Sequence, residues 1–175
     1  MLMFEEQLAY PTTINAYLIL GSVYTLENSN FMKNVKCVIS VMKSPPPIID
    51  NVEQVCIQIE DNCDTNITEY FSLVFKTIEQ YQENREKVLI HCEKGMSRSS
   101  SFVIAWLLQE EHNKGKQVSY QDVLRELVKK RSLISPNQGF AAQLRDFADQ
   151  LNATLLSKDQ EESNYIDSSQ STRLI

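Results

Sequence analysis

The chain has 175 residues, of which 42% are hydrophobic and 23% charged, proportions ordinary for a single globular domain with a sizeable core. Its net charge of −6 gives no reason to expect nucleic acid or an anionic membrane as the main partner, so any binding of phosphate must be local. The four cysteines (Cys37, Cys56, Cys63, Cys92) and two histidines (His91, His112) lack paired metal-ligand spacing, and neither a signal peptide nor a membrane-length apolar run is present; the expectation is reduced thiols in the cytosol or nucleus.

Four short β-rich runs come in order: AYLIL at 16–20, KCVISV at 36–41, VCIQI at 55–59 and KVLIH at 87–91. The last three are almost continuously apolar, as strands covered on both faces are. SPPPIID at 44–50 breaks the chain after the second run and sets a stiff connector. From Ile67 onward, Phe71, Val74, Phe75 and Ile78 form a helical stripe between two strands, which describes a crossover unit. After the last strand, SFVIAWLLQEE at 101–111 is apolar on all sides and predicts a buried helix. SYQDVLRELVKKR at 119–131 opens with Ser119 three residues before Asp122, a variant of the capping box, and SPNQGFAAQLRDFADQL at 135–151 supplies a last amphipathic helix. The expected fold is α/β: a central, mostly parallel, twisted sheet of four to five strands flanked by helices. Residues 1–156 form the domain, and the polar, aperiodic stretch 157–175 is expected to be a disordered tail.

Between the fourth run and the buried helix lies LIHCEKGMSRSSS, 89–101. A strand that ends at Cys92 and a helix that begins near Ser97 to Ser99 leave a tight loop, with Gly95 permitting the turn. The loop amides of Glu93, Lys94, Gly95, Met96, Ser97 and Arg98 then point inward, and the helix N-terminus adds free N–H groups and the positive end of its dipole. That is a cradle for a tetrahedral oxyanion, with the Arg98 fork as its strongest contact. A cysteine held there loses its proton readily, because helix termini and cations lower thiol pKa to roughly 3.5–7.5. The chemistry is attack of Cys92 on phosphorus to give a cysteinyl phosphate that water hydrolyses, with Arg98 holding two equatorial oxygens. An acid for the leaving group is available in the loop with Glu60, Asp61 and Asp64, but composition alone does not choose among the three.

HCEKGMSRS at 91–99 resembles the His-Cys, five residues, Arg-Ser signature of cysteine-based protein phosphatases. The surrounding YLILG, VKCVISV, IEDNCDTNITEYF and SPNQGFAAQL, in that order, are similar to the small, atypical dual-specificity members of that superfamily, over roughly residues 14–151. The resemblance implies Asp61 as general acid, Ser99 as support for the thiolate as leaving group, His91 as a brace of the loop and Asn137 as its buttress. It implies a protein phosphatase acting on phosphotyrosine and on phosphoserine or phosphothreonine, without a cofactor or metal, on phosphorylated protein substrates and as a monomer.

Each residue has a plainer reading. Cys92 could be a buried strand-end thiol, Arg98 a surface cation, Ser99 to Ser101 capping hydroxyls, His91 a satisfied core histidine, and Glu60, Asp61 and Asp64 a solvated acidic loop. Cys37, Cys56 and Cys63 read as small apolar fillers, and Lys129 to Arg131 as cations that complement a helix dipole. Three rival functions remain: a sulfurtransferase, a phosphate-binding module with little catalysis, and a phosphatase of phosphoinositides. The lone Lys94 in the loop tilts the last of these toward phosphoprotein.

Overall fold

A computed structural model describes residues 8–44 and 46–171, with side chains up to residue 157. Pro45, within the expected proline connector, and the chain ends at 1–7 and 172–175 lie outside the described residues. Five strands form one sheet: β1 (Thr12–Thr13), β2 (Leu18–Ser22), β3 (Val35–Met42), β4 (Glu53–Gln58) and β5 (Lys87–Cys92), in the spatial order β1-β2-β5-β3-β4. Only β1 runs antiparallel to its neighbour, and the other pairings are parallel. The α/β expectation therefore holds, with five strands.

The boundaries follow local chemistry. Ala16 and Tyr17 lie in a turn rather than a strand, because Asn15 Oδ1 accepts the amides of Tyr17 and Leu18 at 2.9 and 2.8 Å. β2 instead runs on through Gly21 and Ser22, which pair with His91 and Cys92. β1 is two residues long, too short to leave a periodic signal.

Four helices follow the short α1 (Ser29–Met32): α2 (Phe71–Glu83), α3 (Arg98–Asn113), α4 (Tyr120–Lys130) and α5 (Gln138–Ser171). Alternation along the strands divides the core. Cys37, Ile39 and Val41 of β3 with Val88 and Ile90 of β5 face the large cluster under α2 to α5, while Val38 and Leu89 face a smaller one with Ile19 and Met32. α3 is the central helix: Phe102, Val103, Ile104, Ala105 and Leu108 are wholly buried, each large apolar side chain contributing about 1.5–3 kcal/mol. Phe71 stacks on Phe75 at 5.6 Å and meets Phe102 edge-on at 5.9 Å and Phe147 at 5.0 Å, which locks α2, α3 and α5 together. Those helices carry or flank every segment of the site described below.

Two expectations need correction. α5 continues to Ser171, so the backbone of residues 157–171 is helical where a disordered tail was expected. That stretch has neither Gly nor Pro, and extending an established helix is far easier than starting one. At the start of α4, Ser119 Oγ accepts the Asp122 amide at 3.4 Å, but the Asp122 carboxylate turns to Arg125 at 2.8 Å, so only half of the capping box forms.

Candidate active site

The strands β2, β3 and β5 end at the same edge of the sheet, and the loop after β5 begins there with Cys92, which is 1% exposed. In an open parallel sheet this carboxyl edge is where ligands are bound. Cys92 Sγ accepts two hydrogen bonds, from the Gly95 amide and from Ser99 Oγ, both at 3.2 Å. Elsewhere in the core, burial pushes the pKa of the Cys37 thiol up to about 12, with Glu53 adding to the effect.

The loop closes through Gly95, whose φ of 67° is the left-handed conformation that glycine adopts without cost. A Cβ there would also strike the Gly21 carbonyl oxygen. From outside, the loop is held by Arg131, 2% exposed: Nε donates to Gly95 O at 3.1 Å, Nη2 to Lys94 O at 3.0 Å and Nη1 to Tyr10 O at 3.1 Å. Burial lowers the Arg131 pKa, and the Cys92 sulfur opposes that shift. Below Cys92, His91 is wholly buried, with Nε2 2.8 Å from Ser40 Oγ and Nδ1 3.2 Å from Cys92 O. The carbonyl can only accept, so Nδ1 carries the proton and Nε2 accepts from Ser40. Burial depresses the His91 pKa to about 4, so the ring is a neutral brace.

Arg98 opens α3 with its side chain only 10% exposed. Its Nε has no hydrogen-bond partner, lying 3.6 Å from Asp61 Oδ2, and Nη2 lies 3.4 Å from Glu93 Oε2. A buried guanidinium N–H without an acceptor is costly, and an oxyanion placed against it would supply one. No side chain caps the first turn of α3. Ser100 Oγ and Ser101 Oγ donate backward to Ser97 O at 2.9 and 2.7 Å, so their expected capping role is replaced by bonds to carbonyls.

Asp61, of the three carboxylates in the loop after β4, is the one brought to Arg98. Its Oδ1 accepts from Ser97 Oγ at 2.7 Å and from Asn137 Nδ2 at 2.8 Å. Glu60 instead pairs with Lys43 at 2.6 Å. Asn137 buttresses the acid more than the phosphate loop: besides Asp61 it binds Asn62 O at 3.2 Å, and it reaches the loop through its amide on Ser97 Oγ at 3.1 Å. The first turns of α5 complete the support. Gln143 donates to Thr65 O at 2.9 Å and accepts the Ile67 amide at 2.8 Å, and Gly139 packs so closely on Cys63 that a Cβ would overlap its backbone.

The comparisons agree with this geometry. The dual specificity phosphatase, catalytic domain, matches residues 18–150. The chain belongs to the dual specificity phosphatase catalytic domain family. It is 32% identical over 160 residues to the protein phosphatase Slingshot of Drosophila melanogaster, covering 87% of this chain and 14% of that protein. It is 32% identical over 133 residues to dual specificity protein phosphatase 1B of Arabidopsis thaliana, covering 74% of this chain and 77% of that one. The crystal structure of human DUSP28 shares the fold, with a TM-score of 0.73, 19% identity and coverage of 81% of this chain and 94% of that one. The chain spans less than two fifths of the length of several curated relatives it matches.

Within this dual specificity phosphatase fold, Cys92, Arg98, Asp61, Ser99, His91 and Asn137 lie around the Glu93 to Ser97 loop. Cys56 and Cys63 do not fit their expected role as fillers, since both are exposed. Arg131, read from the sequence only as a cation complementing a helix dipole, is instead the support of the loop. Tyr120 and Leu127 are the buried residues of α4, and Arg131 follows directly after the helix at the spacing that continues their face. An arginine four residues beyond a buried leucine on the same face is the signal that marks it. Gly139 and Gln143 had no such signal, because their partners are backbone atoms more than 70 residues away.

Proposed function

We propose that this domain hydrolyses phosphoprotein substrates, at phosphotyrosine and at phosphoserine or phosphothreonine, through a cysteinyl phosphate on Cys92. The observation that carries the reading is the meeting of three groups at one point. Cys92 Sγ is held by Gly95 and Ser99, the Arg98 Nε–H lacks an acceptor, and Asp61 Oδ2 stands 3.6 Å from that same nitrogen. In this reading a phosphoryl group held by Arg98 and the loop amides is attacked by the Cys92 sulfur, and its departing oxygen is protonated from Asp61.

The steps follow from these contacts. The Cys92 thiolate forms a bond to phosphorus while the bond from phosphorus to the substrate oxygen breaks, and the departing oxygen takes a proton from Asp61. Since Oδ1 already accepts two hydrogen bonds, the transferable proton sits on Oδ2, which faces Arg98. Water then attacks phosphorus, Asp61 takes its proton back, and the sulfur leaves with the bonding pair, stabilised by the Ser99 hydroxyl. Arg98 and the loop amides hold the equatorial oxygens throughout.

Phosphoprotein is favoured over phosphoinositide because the loop carries Glu93 beside Lys94 and the chain is acidic. The free cysteines suit a reducing compartment such as the cytoplasm or nucleus. The test is Cys92→Ser. It is expected to abolish hydrolysis of an aryl phosphate while retaining vanadate binding, because Arg98 and the amides survive. A variant that still turns over near the wild-type rate refutes the covalent route. Transfer of sulfur to cyanide by the wild type would point to a sulfurtransferase.

A further inference from the structure

Two carboxylates meet the Arg98 guanidinium, and the reaction uses only one of them. Asp61 is the acid, and Glu93 is left without a role. Its Oε2 lies 3.4 Å from Arg98 Nη2, yet its side chain is 64% exposed where that of Arg98 is 10% exposed. Glu93 therefore reaches the phosphate-binding group from the solvent rim of the pocket. Its backbone is clamped on both sides: Glu93 O accepts the Val23 amide at 3.2 Å, and the next carbonyl, Lys94 O, is held by Arg131 at 3.0 Å. The backbone that carries the carboxylate is thus fixed at the edge of the loop.

A phosphate dianion on Arg98 takes over the charge that Glu93 was neutralising. In the proposed reaction Asp61 is the proton donor, so Glu93 is the carboxylate on Arg98 that takes no part in proton transfer. Elsewhere on the rim, Glu60 is already matched by Lys43 at 2.6 Å. Lys94 is exposed, but the charge in contact with Arg98 is that of Glu93. A cation supplied by the substrate next to its phosphorylated residue restores the balance, and an acidic neighbour worsens it. We infer that Glu93 is a specificity-determining residue that selects phosphorylated segments with Lys or Arg beside the phosphoresidue over segments with Asp or Glu there. The inference rests on the phosphatase reading above.

The experiment compares two peptides of one sequence, each with a single phosphotyrosine, flanked on both sides by Lys in one and by Glu in the other. The wild-type chain is expected to show the higher kcat/KM on the Lys peptide. Glu93→Gln should shrink that ratio about two- to fivefold, the range of one exposed charge pair, and Glu93→Lys should reverse the preference. Binding of the same peptides to Cys92→Ser with and without Glu93→Gln gives the ratio independently of turnover and should shrink alike. A ratio unchanged by both substitutions, while turnover remains dependent on Cys92, overturns the inference and leaves the phosphatase reading standing. No Cys92-dependent turnover of either peptide overturns both.

Discussion

Ser97 Oγ donates to Asp61 Oδ1 across 2.7 Å, so the residue that precedes Arg98 also fixes Asp61, the proposed acid. Because a positioned acid matters most when the leaving oxygen is poor, and contributes about 10²–10⁴-fold, Asp61→Asn should slow hydrolysis of a phosphotyrosine or phosphothreonine peptide strongly and that of an activated aryl phosphate less. The falling limb of the pH–rate profile at high pH should flatten in Asp61→Asn. Asp64→Asn is the control, and a flattened limb there with an unchanged one in Asp61→Asn would move the acid by three residues.

Arg131 holds the loop by its carbonyls, and its removal leaves Gly95 O, Lys94 O and Tyr10 O without their donor. A hydrogen bond to a charged group contributes about 1.5–3 kcal/mol, so Arg131→Ala should lower the stability to denaturant by about 3 kcal/mol or more and reduce turnover. Arg131→Lys should recover part of the stability, since a point charge cannot fill a three-way fork. An unchanged denaturation midpoint in Arg131→Ala would show that the loop stands without it.

His91 makes stability depend on pH in one direction. Its pKa is about 4 in the folded chain and about 6.5 unfolded, so the unfolded state binds the proton more readily. The contribution is present in full above about pH 6.5 and is lost as pH falls toward about 4, amounting to about 3 kcal/mol across the window. Denaturation measured from pH 7 to pH 4 should fall less steeply in His91→Gln than in the wild type. Parallel curves would mean that the ring is not desolvated.

How much of this was legible beforehand differs by the kind of contact. Cys92 to Ser99 lie in one uninterrupted stretch, so their spacing alone dictates a loop that faces an arginine to a thiol. The buried strands and the α3 helix were legible because continuous apolar runs leave few alternatives. Asp61 was not separable from Glu60 and Asp64 by composition, because what distinguishes it is contact with Ser97 and Asn137, the latter 76 residues away. Arg131 was hidden by its neighbours: Lys129 pairs with Glu126 and Lys130 with the Ile14 carbonyl, while the third cation of the run turns inward.

Gly139 predicts an effect at a distance from the chemistry. A methyl group there overlaps the Cys63 backbone, which is not the flexible end of a side chain, so Gly139→Ala must push the acid loop away from α5. A displacement of about 1 Å in such a site costs up to about 10²-fold. Peptide turnover should therefore fall about 10–100-fold while an activated aryl phosphate is affected less, the same leaving-group signature as Asp61→Asn. Equal losses on both substrates would show that the substitution disturbs the phosphate loop instead.

The covalent intermediate is the centre of the account, and it is accessible in Ser99→Ala. That variant removes the hydroxyl 3.2 Å from Cys92 Sγ and is expected to slow departure of the sulfur more than its attack. Rapid acid quenching of Ser99→Ala with a phosphotyrosine peptide, followed by mass spectrometry of the peptide that contains residue 92, should find one phosphoryl group on Cys92, more abundant than in the wild type. Turnover that proceeds at the wild-type rate with no phosphoryl group on Cys92 would contradict the mechanism.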